Sequence, residues 1–300
     1  MVAVDVDSSW PPDALRNSLE NLSADFHSRI LPGLRGVLPQ SVWHYTSASG
    51  AHGILSSRRL WLTSSLSAGD RQEVHWGNAL VCAAALRLDE ELGGHPALDA
   101  LLNDHRASLF LNEPEIFLAC FTDAHDDERQ WHARSTDGAA LVVDSQVLSR
   151  AARVSSVNAT RLLRVQYDSL TVRTLATDYY RRVLDLAASN PPAQWHWIAQ
   201  WLMETGFLAF FAKRASWSWE REFRLVGRSI LRTGLIQGEP RRLELELGDG
   251  ILKAVVLGPD ASAALERELR DVVSERWPGE VIEFKRAMRG AGKVAGQQVV

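Results

Sequence analysis

The chain has 300 residues, 46% of them hydrophobic and 23% charged, with a formal net charge of -4. This is a globular composition, long enough for one large or two small domains, and its charge argues against nonspecific nucleic-acid binding driven by phosphate neutralisation. Two cysteines, Cys82 and Cys120, leave no room for a disulfide framework or a cysteine zinc site.

The opening MVAVDVDSSWPP has neither the basic nor the apolar region of a signal peptide, and no apolar run approaches the ~20 residues of a membrane span. A cytoplasmic location is expected. From Pro11-Pro12-Asp13 the apolar positions Leu15, Leu19, Leu22, Phe26 and Ile30 form the stripe of an amphipathic helix. Val42 to Thr46 is aromatic and β-branched, hence a strand; Ser47 caps a brief helix through Ile54-Leu55, and Arg59 to Thr63 is a second strand. Gln72 to about Phe110 is helical, with a break at Gly93-Gly94. Ile116 to Phe121 has strand length and precedes the acidic loop Asp123 to Glu128. Trp131 leads to a turn at Asp137-Gly138 and the strand Ala139 to Val143, and Leu162 to Tyr167 is a further strand. Asp178 to Phe211 is helix-rich. Strands at 242–247 and 252–257, a helix capped by Pro259-Asp260 and ending near Trp277, and a strand at 281–285 complete the pattern. The expected organisation is α+β: an N-terminal helical extension (1–40), a single domain (41–288) with a helical lobe near 174–213, and a flexible tail from 289.

Lys213 to Arg228, KRASWSWEREFRLVGR, carries the densest chemistry. Alternate strand residues share a face, so Glu220, Glu222 and Arg224 would stand on one side and Trp219, Arg221, Phe223 and Leu225 on the other. Two like charges on one face repel unless a cation or ligand separates them, and Arg224 is placed to be that cation. The plain alternative is an edge strand with a solvated ladder of charges. His44 and Thr46 likewise share one face of their strand, with Trp43 and Tyr45 on the other. The acidic run Asp123, His125, Asp126, Asp127, Glu128 and His132 lacks the rigid spacing of a metal site and reads as a solvated loop. Glycine-rich nucleotide motifs of the Rossmann and P-loop kinds and a Gly-x-Ser-x-Gly elbow do not occur in the chain.

Taken in order, His44-Tyr45-Thr46, Ile54-Leu55 with Leu60-Trp61-Leu62, Asp70 with Glu73, Cys120-Phe121-Thr122 with Trp131 and Gly138, Glu220-Arg221-Glu222-Phe223-Arg224, and Val256-Leu257-Gly258-Pro259 resemble the bacterial domain-of-unknown-function family 2971. The likeness spans roughly residues 41 to 285. Gly69, Arg71 and Arg134 stand where that family's pattern has Asn, Pro and Tyr. The order of parts is also similar to the ADP-ribosyltransferase superfamily.

The resemblance implies an ADP-ribosyltransferase-like fold of split mixed sheets with a helical insertion, acting on NAD as substrate. Its transfer acceptor would be a protein, nucleic acid or small molecule, with bacterial defence or toxin action as the implied setting. On that reading Glu222 stabilises the oxocarbenium-like ribose left when nicotinamide departs, Glu220 polarises or holds the acceptor, and His44 positions a ribose hydroxyl. Tyr45 or Trp61 stacks on nicotinamide, Thr46, Thr63 and Ser64 contribute polar contacts, and Arg224 pairs with a glutamate or with pyrophosphate. Capping of a strand end is the simpler role for Thr63 and Ser64. NAD hydrolysis, and a non-catalytic module binding a nucleotide or partner, are the alternatives. The readings separate on whether His44, Thr63 and Glu222 meet in one pocket.

Overall fold

The computed structural model describes residues 11–25, 37–65, 71–99, 116–154, 161–201, 208–228, 235–236 and 242–288. The chain forms two compact units, one from residues 1–36, 69–114 and 164–218, the other from 37–68, 115–163 and 219–300. The expected loop at 69–73 lies only partly, and the expected tail from 289 only outside, the described residues. Among the described residues, no helix is long and apolar enough to cross a membrane.

The first unit is helical. Helix α1 (Asp13–Asp25) buries Leu15, Leu19 and Leu22 of the apolar stripe; Phe26 and Ile30 fall outside the described residues. With it come α3 (Arg71–Glu91), α6 (Ser169–Ala188) and α7 (Trp195–Trp201). Helix α6 starts earlier than the sequence pattern suggests, because Asp168 accepts from the backbone N–H of Leu170 and Thr171 and so caps two orphan donors. Leu80, Val172 and Ala212 pack together beside Trp76. Gly77 lets α3 pass close to the carbonyl of Ala209: a β-carbon there would lie 2.0 Å from that oxygen.

The second unit is built on a mixed sheet. Its strands are β1 (Ser41–Thr46), β2 (Arg59–Ser64), β3 (Ile116–Thr122), β4 (Ala139–Asp144), β5 (Arg161–Arg164, whose last residue falls in the helical unit), β6 (Glu222–Arg228), β7 (Leu235–Ile236), β8 (Arg242–Glu246), β9 (Leu252–Leu257) and β10 (Glu283–Arg286). The order is β10-β9-β4-β1-β3-β2-β8-β7, with β6 pairing β3 and β5. Only the β10–β9 pair is parallel among the registers described.

One face packs on α2 (Ala48–Ser57), α5 (Ser145–Val154) and α8 (Ala263–Arg276), which contribute Leu55, Leu148 and Leu269 to a core with Val42, Phe121, Phe223 and Val255. Ser47 caps α2 by accepting from the Gly50 N–H. Helix α8 is capped by Ser262, three residues beyond the Pro259 of the expected start. On the opposite face Tyr45, Trp131, Ala140, Val142, Ala254 and Val256 form a second cluster beneath α4 (Glu128–Arg134). Helix α4 replaces the irregular approach to the Asp137-Gly138 turn expected around Trp131, because Asp127 accepts from the N–H of both Arg129 and Gln130 and starts a helix there.

Strand β3 divides the sheet. Along one edge it pairs with β6 for its whole length, from Ile116 opposite Arg228 to Thr122 opposite Glu222. Its other edge is shared: Phe117 and Leu118 pair with β2, and Thr122 alone pairs with Trp43 of β1. Between these contacts the β1 and β2 leaves part.

Candidate active site

The parting of the leaves makes a pocket of about 90 Å³, lined by Trp43, His44, Tyr45, Cys120, Phe121, Thr122, Gln130, Arg134, Glu220 and Glu222. Every lining residue belongs to the β-rich unit. The volume is below the several hundred Å³ usual for a whole drug-sized ligand. It suits one ring or sugar, with the rest of a larger molecule lying outside the mouth.

His44 sits in the seam. The Ile116 carbonyl, on the shared edge of β3, accepts from the Ser65 N–H. Alternation puts the Cys120 carbonyl on the same edge, where the His44 imidazole lies 2.8 Å from it through Nδ1. A carbonyl only accepts, so Nδ1 carries the hydrogen and Nε2 of the neutral ring presents a lone pair. Burial holds the imidazole below its usual pKa against the opposing effect of the Cys120 carbonyl, and the charge of Arg134 lowers it further. The His44 and Phe121 rings lie 5.4 Å apart at a tilt of 51°.

Glu222 begins β6 and is buried, as is Arg224. Arg224 Nε donates to Glu222 Oε1 at 2.8 Å and Nη2 to Oε2 at 3.2 Å, so a planar fork meets both carboxylate oxygens. The Cys120 thiol, opposite Arg224 in the ladder, is pushed up to about 12 by burial and then by the charge and hydrogen bond of Glu222. It is a neutral wall of the pocket rather than a nucleophile.

Glu220 arrives by a different route from the one its spacing suggests. It ends a 3-10 helix, Ala215–Glu220, and is not part of β6. Arg221 has φ +47, a left-handed conformation that ends the alternation between Glu220 and Glu222. The expected face of Trp219, Arg221, Phe223 and Leu225 is accordingly reduced to Phe223 and Leu225 in the core. Arg221 instead pairs with Asp123 at 2.6 Å, and Trp219 lies under the Arg129 guanidinium. The Glu220 backbone is pinned by Thr122 Oγ1 at 2.6 Å and Gln130 Nε2 at 3.0 Å, both donating to its carbonyl. Its side chain, buried, faces Arg134 Nη2 across 3.9 Å.

Tyr45 is buried at the pocket wall, edge-on to Trp131 at 4.6 Å. Its hydroxyl donates to the Ala124 carbonyl and accepts from the Asp127 N–H, and burial raises its pKa. Trp43 stacks between Tyr45 and His125, with ring centroids 5.9 and 5.5 Å away. The acidic loop is thereby a scaffold: Asp126 accepts from Trp131 Nε1 and from the Met288 N–H, and Asp127 caps α4.

His44, Tyr45, Glu220 and Glu222 thus meet, whereas Thr46, Trp61, Thr63, Ser64 and Arg224 do not line the pocket. Of the three residues expected to converge in the catalytic reading, His44 and Glu222 therefore meet and Thr63 does not: it pairs with Leu118 in the ladder, with Ser64 buried beside it. Trp61 is half-exposed, with the Arg242 guanidinium 4.3 Å over its ring and its Nε1 donating to Glu244. Thr46 lies against Gly50 and Gly138 at the β1–α2 corner. Alternation and motif order did not single out Gln130 as a site residue, because its place depends on the α4 cap; Asp127 two residues after Ala124-His125 was the available signal.

No protein-family model matches the chain, and no curated protein or solved structure matches it.

Proposed function

We propose that the protein transfers ADP-ribose from NAD to an acceptor. The observation that carries this reading is the convergence of a neutral His44 and the carboxylates of Glu220 and Glu222 on one ring-sized pocket with aromatic walls. The nicotinamide ring suits that space, with its ribose at the mouth: Trp43, Tyr45 and Phe121 line the pocket with aromatic surface, and Nε2 of His44 offers an acceptor to a ribose hydroxyl. In the reaction the bond from ribose C1′ to the nicotinamide nitrogen breaks, and its electron pair leaves with the ring. The cationic sugar is then captured by the acceptor's nucleophile, whose proton passes to a carboxylate. Glu222 supplies negative charge beside the sugar, and Glu220 is the group that takes the acceptor's proton. Arg224 fixes the orientation of the Glu222 carboxylate through two hydrogen bonds. With water as acceptor the same steps amount to NAD hydrolysis.

The Glu222–Arg224 pair also favours a second reading, a non-catalytic nucleotide- or partner-binding module in which the pair is structural. Incubation with NAD and chromatography of free nicotinamide separates the two, with Glu222→Gln alongside. Release by the wild type and not by a folded variant supports catalysis. Absence of both release and calorimetric NAD binding overturns the NAD reading.

A further inference from the structure

The resemblance offers Arg224 a glutamate or pyrophosphate as partner; the guanidinium is buried and its Nε and Nη2 are engaged by Glu222. Arg134 stands differently. It ends α4, lines the pocket, and keeps 45% of its side chain exposed. Among the described residues its one ion pair is the 3.9 Å approach to Glu220, at the outer limit for such a contact. Its positive charge acts into the pocket, on both His44 and Cys120. It therefore has one end in the pocket and the other in solvent, with hydrogen-bond donors to spare. The pocket holds a single ring or sugar, so the charged part of a nucleotide seated there must lie at the mouth.

We propose that Arg134 is the residue that recognises the phosphoryl oxygens of the bound dinucleotide, turning from Glu220 to do so. This rests on the NAD reading of the site. A guanidinium fork meets phosphate oxygens with paired charge-assisted hydrogen bonds, whereas its present partner offers a single long contact.

The test is calorimetric binding of two ligands, NAD and nicotinamide riboside, which has the ring and sugar but no phosphate. Wild type, Arg134→Ala and Arg134→Lys are compared, with circular dichroism to check the fold; the half-exposed position makes all three suited to folding. Arg134→Ala is expected to weaken NAD by about 10-fold or more, the loss of a charged hydrogen bond, and not to weaken nicotinamide riboside, whose pyridinium cation gains nothing from a neighbouring guanidinium, while Arg134→Lys recovers part of the loss. Equal weakening of both ligands, or no weakening of NAD, overturns the role of Arg134 while leaving the NAD reading standing. A wild type that binds neither ligand overturns the NAD reading itself, and this assignment with it.

Discussion

Arg224 grips Glu222 through two hydrogen bonds in the interior of the β-rich unit, two residues apart on one face of β6. Ionic pairs of this kind are expensive to break from one side, because the survivor is left charged and buried. Glu222→Gln should therefore lower stability by roughly 3 kcal/mol, and Glu222→Gln combined with Arg224→Met should be more stable than the single variant. Urea denaturation of the three proteins checks this. A double variant less stable than Glu222→Gln would mean that Arg224 does more than neutralise its partner. The activity test on Glu222→Gln accordingly belongs below the temperature at which that variant begins to unfold.

His44 gives the fold a defined response to acid. Its folded pKa lies below the ordinary histidine value of 6.5, so below that value the unfolded chain binds a proton that the folded one refuses. Its stabilising contribution is complete above 6.5 and is lost as pH falls towards the depressed folded pKa. His44→Asn, which keeps a donor near the Nδ1 position and does not titrate, should flatten that part of the melting-temperature profile. An unchanged profile would place the acid sensitivity elsewhere.

Tyr45→Phe removes the hydroxyl that joins the Ala124 carbonyl to the Asp127 N–H. Leaving both groups without it should cost about 1–3 kcal/mol. Hydrogen exchange should rise at 124–130, where the α4 cap is held, before it rises in the sheet; a uniform rise would mean that the hydroxyl does not secure this turn.

Two glycines should answer in opposite directions. A β-carbon on Gly258 would lie 2.3 Å from the Thr136 carbonyl oxygen, and Gly258→Ala should destabilise by about 1–3 kcal/mol. Gly53, inside α2, has nothing within 4 Å of the corresponding position. There, Gly53→Ala should stabilise by about 0.5–1 kcal/mol through helix propensity. Thermal melts of both variants decide the matter.

Most strands could be read from the chain because apolar alternation there answers to one buried face. Leu60 and Leu62 enter the core while Trp61 stays half-exposed. The same rule misled at Glu220 because it assumes an unbroken strand, and Arg221 in the left-handed region cannot be told from a strand residue by its type. Helix α4, seven residues long, shows little periodicity and starts at Asp127 within a run read as loop, whereas α5, as long as α2 and amphipathic, was missed because its cap Asp144 directly follows residues read as strand. The link from His44 to the Cys120 carbonyl depends on where β1 and β2 separate, a property of three strands that no single stretch contains.

The divided edge of β3 bears on how this site can change. On that side, among the described residues, 119–121 form no strand pairing, so the cleft opens where the ladder is already interrupted. At such a seam a side chain lining the pocket, such as Cys120, can be exchanged without surrendering a rung of the sheet, while Ala119 and Phe121 stay bound to the core and the β3–β6 ladder remains intact behind them. Diversification of ligand preference is thereby uncoupled from the integrity of the scaffold.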